Sequence, residues 1–179
     1  MSGLSDLRTL LAEGGGLMAE LLAPGEAPAR EQHGPAALAA AGPRAEGHSD
    51  EYELLVEAIY EGYLLHYGEP RVLSVAEADL GLLAGDRLYA IGLARVVALG
   101  DTLAVAELAD TITLSALAQG SGDGVLAEAV WSAGARAVGW GCAEQHEHAK
   151  QMVLAGAPEA LEAMRTISRV PLPGPAAPR

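Results

Sequence analysis

Residues 49–70, SDEYELLVEAIYEGYLLHYGEP, and residues 74–100, SVAEADLGLLAGDRLYAIGLARVVALG, decide the fold of this chain. Each opens on a pattern like a capping box, Asp50 with Glu53 and Ser74 with Glu77. In such a box a short oxygen side chain and a glutamate satisfy the free amide groups at a helix start. The first stretch is predicted to run helically to about Tyr67, where Gly68 and Pro70 stop it. The second runs to about Leu99 and ends at Gly100. Leu80, Leu83, Leu88, Ile91 and Val96 spread around this helix instead of forming one stripe. It is therefore expected to be buried on more than one side, as the central helix of a bundle. Gly81 and Gly85, one turn apart, let a neighbouring helix approach closely.

Downstream, Asp101 is placed to cap a third helix through about Ala118, and Gly120 to Gly124 form a loop. A fourth helical region extends to about Leu154 with a break near Gly139 to Gly141, and a last helix covers Pro158 to Ser168. Upstream, Asp6 to Leu22 suits a short helix broken at Gly14 to Gly16, because each interior glycine costs about 1 kcal/mol. Pro24 to Gly47 reads as a flexible linker in which Ala36 to Ala41 makes only a transient turn. No convincing strand alternation occurs. The expectation is an all-α chain: an N-terminal arm over 1–48, a compact bundle of about five helices over 49–168, and a Pro-rich tail over 169–179.

With 179 residues the chain can bury a real core. Half of it is apolar but it contains no Phe, so Leu, Ala and Val must fill that core. A formal charge of −13, with Lys150 the only lysine, makes nucleic acid and anionic membrane surfaces poor partners, since both need basic patches. Cys142 is the single cysteine, which excludes an internal disulfide and points to a cytoplasmic setting. Met1 to Ala23 lacks a basic region followed by an apolar run, so no signal peptide is expected there. Asp86, Arg87 and Arg95 interrupt the apolar stretch 80–99 and argue against a membrane span.

The run Glu57-Ala58-Ile59-Tyr60-Glu61, with His66-Tyr67-Gly68-Glu69-Pro70 and then Leu82 to Tyr89, resembles the trans-prenyltransferases (polyprenyl diphosphate synthases) over residues 55–103. That family carries an Asp-Asp-x-x-Asp motif for magnesium and substrate diphosphate, an Arg-Arg-Gly-x-Pro-Thr loop and a Leu-Ala-Gly-Asp helix. Glu57 and Glu61 stand at the first and last aspartates, Gly68 and Pro70 match the loop, and Gly85 and Asp86 match the helix. Ala58 offers no oxygen to a hard cation, and His66 and Tyr67 replace the diphosphate-clamping arginines. No second acidic motif follows. The resemblance implies a reduced isoprenoid-synthase-like bundle without activity of its own and without a resident metal. It leaves Glu57 and Glu61 as a weak ligand or magnesium site, and gives Gly68, Pro70, Gly81, Gly85 and Asp86 structural roles. Asp86 is expected to pair with Arg87 or Arg95.

The function implied is that of a non-catalytic subunit, homo- or hetero-oligomeric through apolar helices, with a polyprenyl diphosphate synthase catalytic subunit as one partner. Two alternatives stay open. One is a binding module for an isoprenoid or other lipid. The other is a metal-dependent helical-bundle enzyme using Glu57, Glu61 and either Glu144 or His148. The sequence lacks the Glu-x-x-His of carboxylate-bridged di-iron bundles, so Glu144, His146, Glu147 and His148 are expected to form a solvated helix segment. Cys142 is expected to be small and buried, and Trp131 and Trp140 to fill core or interface space.

Overall fold

The computed structural model describes residues 3–25 and 34–169. Part of the expected linker, residues 26–33, and almost all of the tail, residues 170–179, lie outside the described residues. Among those described the chain is all-α, with no strand. The helices are α1 (Gly3–Gly14), α2 (Gly16–Glu20), α3 (Pro35–Ala40), α4 (Ser49–Tyr67), α5 (Ala78–Ala98), α6 (Thr102–Gly120), α7 (Gly124–Trp140), α8 (Glu144–Leu154) and α9 (Ala160–Arg169). A 3₁₀ turn covers Pro43–Ala45. No helix among the described residues is long and apolar enough to cross a membrane.

The bundle is built around α4, not around α5. Eleven of the nineteen residues of α4 are buried, whereas α5 buries six of twenty-one. The expectation of a central α5 is corrected here, and the reason is the size of its inner residues. Gly85 lies against Gly62 and His66, and Gly92 against Leu55 and Ile59. These contacts run in opposite sequence order, so α4 and α5 are antiparallel. A Cβ at Gly92 would meet the Leu55 carbonyl at 2.8 Å, so only glycine lets the two backbones come this close. The glycine side seats the helix and leaves the leucine side outward: Leu82, Leu83 and Val97 are 45%, 66% and 62% exposed. An apolar surface all round a helix indicated burial all round, but its neighbours, chiefly α4, leave its outer side open.

Neither expected capping box forms. The helices α4 and α5 start after His48 and Glu77 without side-chain caps. Glu53 is instead buried, accepting the Gly3 amide at 3.2 Å. Asp101 does cap α6, accepting from the Ala104 amide at 3.0 Å. Its carboxylate also takes the Arg44 guanidinium and the Tyr52 hydroxyl, which ties the 3₁₀ turn and α4 to the start of α6. The break near Gly141, whose φ is 91°, separates α7 from α8. Residues 49–169 therefore hold six helices where about five were expected.

Two parts of the segment before residue 49, α1 and α3, pack on the bundle, while α2 buries none of its residues. Leu4, Leu7 and Leu11 of α1 are buried with Leu54 and Ala58 of α4. The helix α3 replaces the expected transient turn, burying Ala36, Ala39 and Ala40. An alanine-only face carries little amphipathic signal in the sequence. It works here because the backbone of Ala39 rests directly on Gly139 of α7.

Candidate functional site

Glu57 and Glu61 lie one turn apart on α4, and both are buried, at 4% and 0% exposure. Gly68 closes α4, and the chain turns through Pro70 so that the next amides face back toward the helix. Glu61 Oε1 accepts the amides of Arg71, Val72 and Leu73 at 2.7, 2.6 and 3.3 Å. Its Oε2 takes Arg71 Nε at 3.3 Å, and Arg71 Nη2 reaches Glu57 Oε2 at 2.6 Å. The Arg71 guanidinium also lies 5.0 Å from the centre of the Tyr60 ring. Loop and helix are thus held by one arginine and three amides on two carboxylates. The oxygens that a magnesium ion would need are already engaged, and a metal here would have to displace a buried, neutralised pair.

A second buried polar centre joins α6 to α8. His146 and Lys150 are one turn apart on the inner face of α8, and Glu107 faces them from α6 among Ala104, Leu108 and Thr111. Glu107 Oε1 accepts from Lys150 Nζ at 3.0 Å, and Glu107 Oε2 lies 3.1 Å from His146 Nε2. Lys150 also reaches Asp110 at 2.8 Å and Glu147 at 2.6 Å. Cys142, in the turn before α8, donates from Sγ to Glu147 at 2.9 Å.

These partners set the protonation states. Burial pushes the Glu107 carboxyl up, but the hydrogen bonds from His146 and Lys150 and the lysine charge outweigh it and hold it at about 2. Burial lowers Lys150, and its three carboxylate partners more than reverse this, so it stays above the ordinary lysine range. Partial desolvation of the sulfur, the Glu147 carboxylate and the nearby Glu107 charge push the Cys142 thiol up to about 12, although the residue as a whole is exposed.

Potential ligand atoms of Glu107, Cys142 and His146 lie within 4.8 Å of one another. Glu107, Cys142, Glu147 and Lys150 also line a cavity of about 450 Å³. A soft divalent ion would need the thiolate, which this environment disfavours, and would compete with a lysine already seated on Glu107. What the arrangement accomplishes as it stands is a charge-compensated clamp between two helices. Sequence separation hid it: Glu107 and Lys150 are 43 residues apart. The available signal was that the only lysine follows a histidine by one turn.

The remaining predicted residues are dispersed. Glu144 and His148 are exposed as expected, but His146 between them is buried. Cys142 is exposed, which corrects the expectation of a buried one, because it sits outside the helix that follows it. Asp86 is largely exposed and stands 3.3 Å from His66 Nε2, not beside Arg95, which pairs with Glu51 at 2.6 Å. That too is a correction, and its reason is that α5 turns Asp86 toward the end of α4. Gly81 and Gly85 face α4. Trp131 fills the core against Tyr60 and Tyr63. No family model matches this chain, and no curated protein or solved structure matches it either.

Proposed function

We propose that this chain is a non-catalytic helical subunit that works by association, with the outer face of α5 as its docking surface. The observation that carries this reading is the exposed ridge Leu83, Arg87, Ala90, Ala94 and Val97, spaced alternately four and three residues apart. Such spacing presents one face to a partner helix, and alanines at its middle allow close approach. Leu82 widens the patch, at 45% exposure. A contiguous apolar patch of this kind marks a partner surface.

The first occupant is a second copy of the chain. An antiparallel pair crossing at Ala90 sets Leu83 of each copy against Val97 of the other, the self-complementarity that a two-fold interface requires. The engagement of Glu57 and Glu61 by Arg71 supports the non-catalytic half of the reading.

Sedimentation at micromolar concentration should give a mass above the 18.3 kDa of one chain. The interface should bury on the order of 1,000 Å² or more. The double variant L83E/V97E should sediment as a monomer with unchanged helicity. A monomeric chain that co-elutes with a polyprenyl diphosphate synthase catalytic subunit would support the heteromeric form. A monomer that does neither overturns the proposal. Elongation of allylic diphosphates by the purified chain with isopentenyl diphosphate and magnesium would overturn the non-catalytic half.

A further inference from the structure

Arg136 is the buried cation of this bundle with no counter-ion. It sits near the end of α7 at 9% exposure, and no hydrogen bond or ion pair to its guanidinium exists among the described residues. Lys150, the other buried cation, is matched by Glu107, and the half-buried Arg44, Arg71 and Arg95 are matched by Asp101, by Glu57 and Glu61, and by Glu51. The contact that Arg136 does make is with the Trp140 ring, 5.6 Å from guanidinium carbon to ring centre. A cation–π contact offsets part of the cost of burial but accepts none of the five N–H donors. Its nitrogens keep some access to solvent, and a guanidinium with free donors beside an apolar hollow suits an anion.

The space for one is beside it. Arg136 lines a cavity of about 490 Å³ together with Trp140 and His146, and the walls are completed largely by Pro43, Ala137, Ala143 and Ile167. This volume is within the range of small-molecule sites. Two further buried polar atoms from the same lining have no hydrogen-bond partner, Trp140 Nε1 and His146 Nδ1. His146 is held by its other nitrogen on Glu107, so its ring orientation is set from outside the cavity. Three polar side chains with unused hydrogen-bonding capacity therefore meet at one apolar hollow, and the strongest of them is cationic.

We propose that this cavity binds an amphipathic monocarboxylic acid. The carboxylate takes the Arg136 fork and the Trp140 Nε1–H, and a short apolar body lies along Pro43, Ala137, Ala143 and Ile167. A planar guanidinium fork fits a carboxylate in two-point fashion. A monoanion suits the site better than a phosphate ester dianion, because a single cation faces it in a chain of net charge −13. No residue of α5 lines the cavity, so this site stands apart from the docking face.

The test is a titration of the isotope-labelled full chain with hexanoate and, separately, with hexanol, followed by the Trp140 indole and Arg136 side-chain resonances. Hexanoate should give saturable shifts at both, and hexanol should bind at least about tenfold more weakly, the deficit expected for losing a charge-assisted pair. Arg136→Met should weaken hexanoate by about tenfold or more, with Arg136→Lys in between, because lysine keeps the charge and loses the fork. Should Arg136→Met fail to fold, Ala143→Leu fills the cavity without touching the cation and should abolish the same shifts. Equal binding of acid and alcohol, shifts that leave the Trp140 indole unmoved, or full hexanoate affinity in both Arg136→Met and Ala143→Leu would each overturn the site.

Discussion

Glu61 on α4 and Glu107 on α6 are both carboxylates buried inside the same bundle, and they are satisfied in different ways. Glu61 is closed by its own neighbourhood, since its four hydrogen bonds all come from the loop only ten to twelve residues further on, three of them from backbone amides. Glu107 is satisfied by side chains alone, from a helix some forty residues away, and it borders a cavity. The contrast shows that burial of a charge does not by itself mark a functional site. A carboxylate satisfied by backbone is a structural fastener, whereas one satisfied by mobile side chains can exchange its partners. The second region also adjoins the unpartnered buried nitrogens of Trp140 and His146.

If the contrast is right, the largest loss follows removal of the backbone-bound carboxylate. Glu61→Ala strands three amides in a buried place and leaves Arg71 only Glu57 and the Tyr60 ring, and should cost about 3–5 kcal/mol by urea denaturation. A loss comparable to that of a surface substitution would show that the loop does not depend on this carboxylate.

Lys150→Met tests the other side. Glu107 keeps His146 as a partner, so the expected loss is smaller, about 2 kcal/mol. Acid titration sharpens the same point. The folded-state carboxyl of Glu107 lies at about 2 against an ordinary 4.5. Its stabilisation is therefore complete above about pH 4.5 and is lost as the pH falls from there toward 2. Glu107→Gln should flatten the pH dependence of unfolding within that window, and an unchanged slope would show that Glu107 contributes nothing to it.

The smallest effect belongs to Cys142. Cys142→Ser should change stability by less than about 0.5 kcal/mol, since the thiol is at the edge of the clamp. Its raised thiol pKa means little thiolate at neutral pH, so iodoacetamide should modify it at least about tenfold more slowly than free cysteine. Glu147→Gln should speed that reaction, because it removes a negative charge from beside the sulfur. Fast modification of the unaltered chain would mean that the clamp does not extend to the turn.

The helical class, the stop at Gly68, the Asp101 cap and the break near Gly141 could all be read in the sequence, because each depends on residues within a turn of one another. The register of Gly81 and Gly85 against α4 was legible for the same reason, as a spacing on one helix. The expected capping boxes failed although their letters were present. Glu53 found a partner fifty residues away in the Gly3 amide, and a long-range hydrogen bond overrode the local one.

What the sequence determined by itself was therefore the helical class and the long helices with their C-terminal stops, fixed by short-range backbone chemistry, while α3 and the start of α5 were not legible. Tertiary structure alone decided which helix is central, that Glu57 and Glu61 close on Arg71, that Glu107 meets Lys150, and that Arg136 is left without an anion. Each of these outcomes depends on which faces meet across the bundle. Small residues such as Gly85, Gly92, Ala39 and Gly139 settle that by permitting close approach, a property that becomes visible only once the facing backbone is in place.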